Sequence, residues 1–150
     1  MDINEKIAII GSGCASAECI KALRESGYHG EIHIFTNSRF PVYNPMLTTY
    51  YVSGKIGFDQ LFPYGNCDSF YRQFLVNTYP SSPVITLDAE KRLVATQNGL
   101  ELNYSQCLIA TGASPVRPPI PGIDFDRVHY IRTVEDAVKR RWTENPVKPW

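Results

Sequence analysis

The feature that most constrains this chain of 150 residues is the apolar run Lys6–Ile10, which leads directly into Gly-Ser-Gly at residues 11–13. A short continuous apolar run is typical of a strand buried on both faces. Residues 15–26 follow with apolar side chains three positions apart, which predicts a helix that ends at Gly27. The opposite face of that helix carries polar side chains that are expected to face water: Lys21, Arg24 and Glu25. With a second apolar stretch at residues 31–36, the pattern predicts one right-handed βαβ unit with parallel strands.

The middle of the chain, from residue 37 to residue 77, mixes irregular and helical patterns. Residues 37–65 are rich in Pro and Tyr and are predicted to form loops, with one short helix after Pro45. Residues 67–77 are predicted to form a helix. Its expected N-cap is Asp68 or Ser69, because short polar side chains accept hydrogen bonds from the first N–H groups of a helix.

The segment 83–112 has the pattern of a β-meander, with turn signals at 88–90 and 98–99 between its apolar stretches. Its last stretch, residues 107–110, is apolar on both faces and is expected to return to the parallel sheet. A Pro-rich connector follows, and Thr133 is then expected to cap a helix that runs to about Trp142. The final residues, NPVKPW, cannot continue a helix and are predicted to form a linker.

The composition of the chain limits its partners. Fifteen basic and fifteen acidic residues give a net charge of zero, which argues against binding to nucleic acid or to a membrane surface. No apolar run approaches the roughly 20 residues that span a bilayer. The N-terminus, MDINEKIAII, is too acidic and its apolar run too short for a signal peptide. We therefore expect a cytoplasmic protein whose cysteines are reduced thiols.

The turn at residues 11–13 has the pattern of a phosphate-binding loop. Gly11 permits the tight turn, Gly13 lets the backbone approach a pyrophosphate, and the following helix start offers free N–H groups to the anion. Ser16 replaces the third glycine of the G-x-G-x-x-G pattern and is small enough for close helix–strand packing. The alternative is a turn between strand and helix that needs glycine for backbone reasons alone.

The end of the second strand does not identify the nucleotide. A site for NAD has Asp or Glu about 20 residues beyond the glycines, on the ribose hydroxyls. Here the sequence reads IFTNSRF, without an acid. Thr36 or Asn37 could form a hydrogen bond with a ribose, and Arg39 could instead meet a 2′-phosphate. The local pattern leaves these alternatives open.

Motifs along nearly the whole chain resemble one known family. The stretches GSGCASAECIKALR (11–24), PVYNPMLTTYYVSG (41–54) and ATGASPVRPPIPG (110–122), followed by YIRTVEDA, occur here in order. In this they resemble the pyridine nucleotide–disulfide oxidoreductase superfamily of two-dinucleotide flavoproteins, in particular its ferredoxin-reductase-like and CoA-disulfide-reductase-like members. ATGxxPxxPxIPG is the most specific of these motifs.

The resemblance implies an α/β fold: a Rossmann-like FAD-binding domain with a parallel sheet and an inserted β-meander. The first part of that domain would occupy residues 1–112. Residues 113–150 would be a Pro-rich connector and helix leading towards an NAD(P)-binding domain that is not in this chain. The implied function is an FAD-dependent oxidoreductase that takes hydride from NAD(P)H and passes electrons to an undetermined acceptor.

The resemblance also implies a set of residues that bind FAD. They are Gly11, Gly13, Cys14, Ala15, Ser16, Thr36, Asn37, Asn44, Thr49, Val84, Ala110, Thr111 and Gly112. At two of these positions the ferredoxin-reductase members carry a cation, Arg in place of Asn44 and Lys in place of Thr49. No catalytic side chain is identified.

Cysteine and histidine chemistry is not expected. Cys14 and Cys19 have the C-x-x-x-x-C spacing of a redox dithiol, but residues five apart on a helix are rotated by roughly 140° and point to different faces. The three histidines show no metal-ligand spacing.

Two other functions remain possible on the sequence. One is a non-catalytic nucleotide-binding fragment, or a subunit that needs another polypeptide or a second copy of itself. The other is a simple NADP-dependent Rossmann reductase that uses Arg39, although the ATGxxP strand argues against this.

Overall fold

The computed structural model describes residues 5–65 and 68–143, which group into two compact units. The first unit contains residues 5–43 and 64–112, and the second contains residues 44–63 and 113–143. Each unit is described separately below. In the part of the chain that is described, no helix has the length and apolar character needed to cross a membrane.

The helices are α1 (Cys14–Glu25), α2 (Thr48–Val52), α3 (Ser69–Gln73) and α4 (Val134–Thr143). The strands are β1 (Lys6–Ile10), β2 (Glu31–Phe35), β3 (Val76–Tyr79), β4 (Val84–Asp88), β5 (Leu93–Thr96), β6 (Glu101–Asn103) and β7 (Gln106–Ile109). Short 3₁₀ helices occupy Pro45–Leu47 and Asp59–Leu61, so the short helix predicted after Pro45 is confirmed.

The first unit is built on a parallel sheet with the strand order β3-β2-β1-β7. β1 lies between its two partners, with Ile9 opposite Ile34 of β2 and opposite Leu108 of β7. The predicted βαβ unit and the return of the chain to the parallel sheet are therefore confirmed. The predicted meander divides here: β4, β5 and β6 form a separate antiparallel sheet, and β7 leaves it to pair with β1.

Both faces of the parallel sheet are covered. Because side chains alternate along a strand, Ile7 and Ile9 of β1 face α1, where Ala17 and Ile20 are buried against them. Ala8 points to the opposite face and belongs to a second apolar cluster that includes residues of the antiparallel sheet. The unit thus has three layers: helix, parallel sheet and antiparallel sheet. This explains why the run Lys6–Ile10 is continuously apolar.

The helix predicted over residues 67–77 is wrong in its second half. α3 ends at Gln73, and Val76–Tyr79 form β3, which pairs in parallel with β2. Asp68 is at the N-cap position without a side-chain capping hydrogen bond, and Cys67 lies outside the described residues. Leu75 reverses the chain between helix and strand with a φ of 50°.

Arg24 stabilises this reversal, and it is half-buried instead of simply facing water as predicted. Its guanidinium donates to the carbonyls of Phe74 at 2.8 Å and Leu75 at 3.0 Å. It also donates to the carbonyls of Tyr28 at 2.8 Å and Gly30 at 3.0 Å. One side chain of α1 therefore fixes the entry into both β2 and β3.

In the second unit α4 packs against α2. Arg141 donates to the carbonyls of Tyr51 at 2.9 Å and Ile56 at 3.1 Å, and its guanidinium lies 4.4 Å from the centre of the Tyr51 ring. The predicted cap of α4 is confirmed, since Asp136 N donates to the Thr133 hydroxyl at 3.1 Å and the Asp136 carboxylate accepts from Thr133 N at 2.9 Å. The linker predicted at residues 145–150 lies outside the described residues.

Candidate dinucleotide-binding site

Gly11 brings the first turn against the ends of two neighbouring strands. Its N–H donates to the Phe35 carbonyl at 2.8 Å. Its φ of 106° is a conformation that L side chains rarely adopt. A Cβ here would overlap the Ala110 carbonyl oxygen and lie 2.7 Å from its carbon. The fold itself therefore requires glycine at this position.

Gly13 is different, because the fold does not require glycine there. It is the N-cap of α1 with a φ of −82°, and a Cβ would meet no described atom within 4 Å. The first helical bond runs from Ala17 N to the Gly13 carbonyl at 3.2 Å, so the earlier N–H groups have no partner inside the helix. No acidic residue occurs in this first turn. Open space in front of free N–H groups is the arrangement that binds an anion.

Ser16 stabilises the turn through a hydrogen bond from its buried side chain. Its side chain is fully buried, and its hydroxyl donates to the Gly11 carbonyl at 2.7 Å. The small residue in place of the third glycine is therefore a hydrogen-bonding group of the loop. Cys14 and Ala15, also predicted to contact the cofactor, are exposed in the first turn of α1.

A pair of hydroxyl groups connects the glycine turn to the end of β2. The Ser12 and Thr36 side-chain oxygens are 2.9 Å apart, and Ser38 N donates to the same Thr36 oxygen at 3.1 Å. Sequence reasoning missed Ser12. A signal was present, since the carboxyl ends of neighbouring parallel strands meet at one edge of a sheet.

The same edge includes the start of β4. Thr36 N donates to the Tyr79 carbonyl at 3.2 Å, and Ser82 N donates to the Thr36 carbonyl at 2.8 Å. Tyr79 stacks on Phe35 with ring centres 4.7 Å apart, and Val84 packs against the same cluster. The structure therefore places Val84 near the end of β2, and Asn37 is exposed there.

Ala110, Thr111 and Gly112 follow β7 at the carboxyl edge of the parallel sheet. Ala110 N donates to the Ile10 carbonyl at 2.8 Å, while Thr111 and Gly112 are exposed. In open α/β sheets ligands bind outside the carboxyl ends of the strands. The predicted residues of the first unit are thus brought to one edge.

Asn44 and Thr49 belong to the second unit. The Asn44 side chain accepts from Met46 N at 3.0 Å and caps the 3₁₀ helix Pro45–Leu47. Thr49 is exposed on α2. Their predicted contact with the cofactor stays a prediction.

Cys14, Cys19 and Cys107 are free cysteines. Burial raises the pKa of the Cys19 and Cys107 thiols, which makes both less reactive. Within residues 5–65 and 68–143 there is no group of three His, Cys, Asp or Glu side chains that could hold a metal ion.

His33 is a buried histidine whose two ring nitrogens both have partners. Nε2 lies 2.7 Å from the Glu31 carboxylate and Nδ1 lies 3.0 Å from the Tyr79 hydroxyl. The hydrogen bond with His33, followed by that with Lys6, lowers the pKa of Glu31. This network connects β2 with β3 and stabilises the parallel sheet.

Comparison with known proteins agrees with this geometry. A model of the family described as pyridine nucleotide-disulphide oxidoreductase matches residues 5–148. The chain is 36% identical over 136 residues to the NADH-dependent phenylglyoxylate dehydrogenase subunit epsilon of Aromatoleum evansii, which covers 91% of this chain and 32% of that protein. It is 29% identical over 136 residues to rubredoxin-NAD(+) reductase of Ectopseudomonas oleovorans, with 90% and 35% covered.

A solved structure, the covalent complex of putidaredoxin reductase with putidaredoxin, matches with a TM-score of 0.78 at 26% identity. That match covers 94% of this chain and 34% of the other. The chain thus spans about a third of the length of these relatives. Since the family model matches almost from end to end, the chain belongs to the pyridine nucleotide-disulphide oxidoreductase family.

Proposed function

We propose that this chain is the FAD-binding portion of an NAD(P)H-oxidising flavoprotein that passes electrons to a separate acceptor. The observation that carries the proposal is the open space at Gly13, where a Cβ would meet no described atom, in front of the N–H groups that begin α1. A turn that needed glycine only for its backbone would use Gly11 and leave Gly13 free to vary. The residues present therefore fit a dinucleotide pyrophosphate.

The role of the chain's own residues is to bind and orient the cofactor. The backbone N–H groups at the start of α1 would hold the pyrophosphate, and Val84 would offer backbone groups to the adenine. Small residues at 110–112 would let the backbone pass close to the cofactor. A bound flavin would supply the redox chemistry, accepting hydride and releasing electrons. No side chain of this chain is proposed to act as an acid, base or nucleophile.

The electron donor and acceptor are proposed from the relatives. Two of them are named for NADH or NAD(+), and one is named for rubredoxin. We expect the nicotinamide nucleotide to bind outside these 150 residues and the acceptor to be another redox protein. The division into residues 1–112 and 113–150, the cytoplasmic location and the oligomeric state stay predictions.

A second candidate is a nucleotide-binding module that works only with another polypeptide. The features that favour it are Asn44 and Thr49, where ferredoxin-reductase members carry cations, and the missing acid at the end of β2. Both features remove side chains that would hold the flavin or its ribose.

The absorption spectrum of the purified chain, alone and after addition of FAD, separates the two candidates. Flavin bands at close to one equivalent per chain support the flavoprotein. A colourless chain that does not bind FAD but binds ADP supports the module. If neither nucleotide raises the unfolding temperature, the phosphate interpretation of residues 11–16 is wrong.

A further inference from the structure

The hydroxyl groups beside the glycine turn differ in where their protons go. Ser16 is buried, and its hydroxyl donates to the Gly11 carbonyl at 2.7 Å. The Thr36 side chain is 9% exposed, and its oxygen lies 2.9 Å from the Ser12 oxygen and 3.1 Å from Ser38 N. A hydroxyl has one proton to donate and two lone pairs with which to accept. The direction of the bond between Ser12 and Thr36 therefore decides which proton is left over.

Thr36 is the donor of that bond. Its oxygen already accepts from Ser38 N, and among the described residues the acceptor within reach of its proton is the Ser12 oxygen. In the opposite direction Thr36 would accept twice, and its proton would lose this acceptor in a nearly buried position. A buried donor without a partner is costly, whereas the proton of the half-buried Ser12 can turn outward.

The Ser12 proton therefore remains available to a ligand. The next residue, Gly13, is exposed, and a Cβ there would meet no described atom within 4 Å. This is the open space in front of the N–H groups that begin α1. Hydrogen bonds to a charged phosphate oxygen are stronger than those to a neutral ribose hydroxyl. A hydroxyl proton beside these N–H groups is therefore suited to a phosphate.

We propose that Ser12 is a further cofactor-binding residue, whose hydroxyl donates to a phosphate oxygen of the dinucleotide, and that Thr36 is its positioning residue. The proposal rests on the proposed function, because it assumes that FAD occupies the glycine turn. It deepens that function where the sequence is unusual, since no Asp or Glu lies between Glu31 and Asp59 to meet the ribose from the end of β2. Contacts to phosphate therefore carry a larger share of the affinity.

The test is isothermal titration of the 150-residue chain with FAD and with ADP, which share adenosine and two phosphates. Ser12→Ala removes the hydroxyl and should weaken the binding of both nucleotides by about tenfold, the loss expected for a hydrogen bond to a charged group. Ser26→Ala is the matched control, because that hydroxyl donates to the Leu23 carbonyl at the other end of α1. It should change neither affinity.

Ser12→Asp decides which part of the nucleotide Ser12 meets. A phosphate repels a carboxylate, so FAD and ADP should bind at least about thirtyfold more weakly. A carboxylate beside the ribose would instead accept from its hydroxyls, and binding would be kept or strengthened. The variant should fold, since an acidic side chain suits the start of a helix, and urea unfolding checks this.

Thr36 is tested through its effect on Ser12. Thr36→Val keeps the shape of the side chain but removes the donor, so FAD affinity should fall by about threefold, and Thr36→Ser should restore it. The double variant Ser12→Ala/Thr36→Val should bind within about twofold of Ser12→Ala alone, because Thr36 acts through Ser12. A purely structural role of Thr36 would add the two losses.

The proposal is overturned if Ser12→Ala binds FAD and ADP as the wild type does, or if Ser12→Asp binds them as tightly as the wild type or more tightly. The positioning role is overturned if the two losses add or if Thr36→Ser fails to restore the affinity. In these cases the glycine turn still binds a dinucleotide, and the proposed function stands. If the wild-type chain binds neither FAD nor ADP, the proposed function fails together with this inference.

Discussion

The substitution Gly11→Ala is the sharpest test of the glycine turn. At a φ of 106° an L side chain is strained by about 1–2 kcal/mol. Its Cβ would also overlap the Ala110 carbonyl, and this backbone group belongs to the chain that leaves β7 and cannot rotate away. Overpacking of this kind costs about 1–3 kcal/mol. The free energy of unfolding should therefore fall by about 3 kcal/mol.

The matched substitution is Gly13→Ala, two residues along the same turn. Its φ of −82° suits alanine, and the new Cβ would meet no described atom within 4 Å. Alanine is a poorer N-cap than glycine, so a loss of up to about 1 kcal/mol is expected. The Cβ would, however, fill the space in which a pyrophosphate approaches the backbone. FAD or ADP affinity should therefore fall by at least about tenfold.

Urea unfolding followed by circular dichroism measures the first effect, and titration with FAD or ADP measures the second. Gly11→Ala should lose about 3 kcal/mol of stability, whereas Gly13→Ala should lose no more than about 1 kcal/mol and bind nucleotide at least about tenfold more weakly. If Gly13→Ala binds nucleotide like the wild type, the open space in front of α1 is not the pyrophosphate site. If Gly11→Ala is as stable as the wild type, Gly11 and Ala110 do not approach as closely as described.

Three further substitutions test interactions inside the first unit (Tyr71 and Arg24) and inside the second unit (Asp136). Burial, reinforced by the charge of Asp68, raises the pKa of Tyr71 to about 12. Because the unfolded chain ionises first, the free energy of unfolding should fall by roughly 3 kcal/mol between about pH 10 and 12. Tyr71→Phe should remove that part of the decrease, as measured by urea unfolding at each pH. Burial acts to raise the pKa of Asp136, but N–H donors of Thr133 and Arg132 lower it overall. Asp136→Ala should therefore cost about 1 kcal/mol at neutral pH, and the difference from wild type should shrink as pH falls below about 4. Arg24→Lys keeps the charge but loses the planar set of hydrogen bonds to four carbonyls. The free energy of unfolding, measured by thermal unfolding, should fall by about 2–3 kcal/mol. The control Arg72→Lys should lower it by less than about 0.5 kcal/mol.

The fold was predictable where local periodicity and tertiary packing agree. Lys6–Ile10 is apolar throughout because α1 covers one face and the antiparallel sheet covers the other. β3 was missed because the helix of residues 67–77 was extended over the start of this strand of only four residues, although Val, Thr and Tyr favour strands, and its strand conformation is completed by pairing with β2. Arg24, some fifty positions earlier in the chain, bonds to the carbonyls that precede β3. No local window contains that interaction.

The site was predictable in its backbone and less so in its side chains. The glycine pattern located the turn, because conformational demands on glycine are local. The Thr36 side chain is buried and hydrogen-bonded to the hydroxyl of Ser12, and the two residues meet only once β1 and β2 are paired. A residue that looked available for a ribose is therefore already bonded, which no spacing rule could show.

Gly11 and Gly13 also separate the two interpretations of the turn, a phosphate-binding loop and a turn that needs glycine for its backbone alone. If the turn served only the backbone, both positions would be crowded or would need a positive φ, and Gly11 alone meets these conditions. Gly13 is neither crowded nor strained, and its N-cap role would be met at least as well by Ser, Asn or Asp, so a ligand that approaches the backbone closely is the better explanation for glycine there. That ligand would meet the first N–H groups of α1 at the turn, and the exposed Asn37 amide, which can both donate and accept, at the end of β2. The unpaired N–H groups and the positive end of α1 would therefore recognise its phosphate groups.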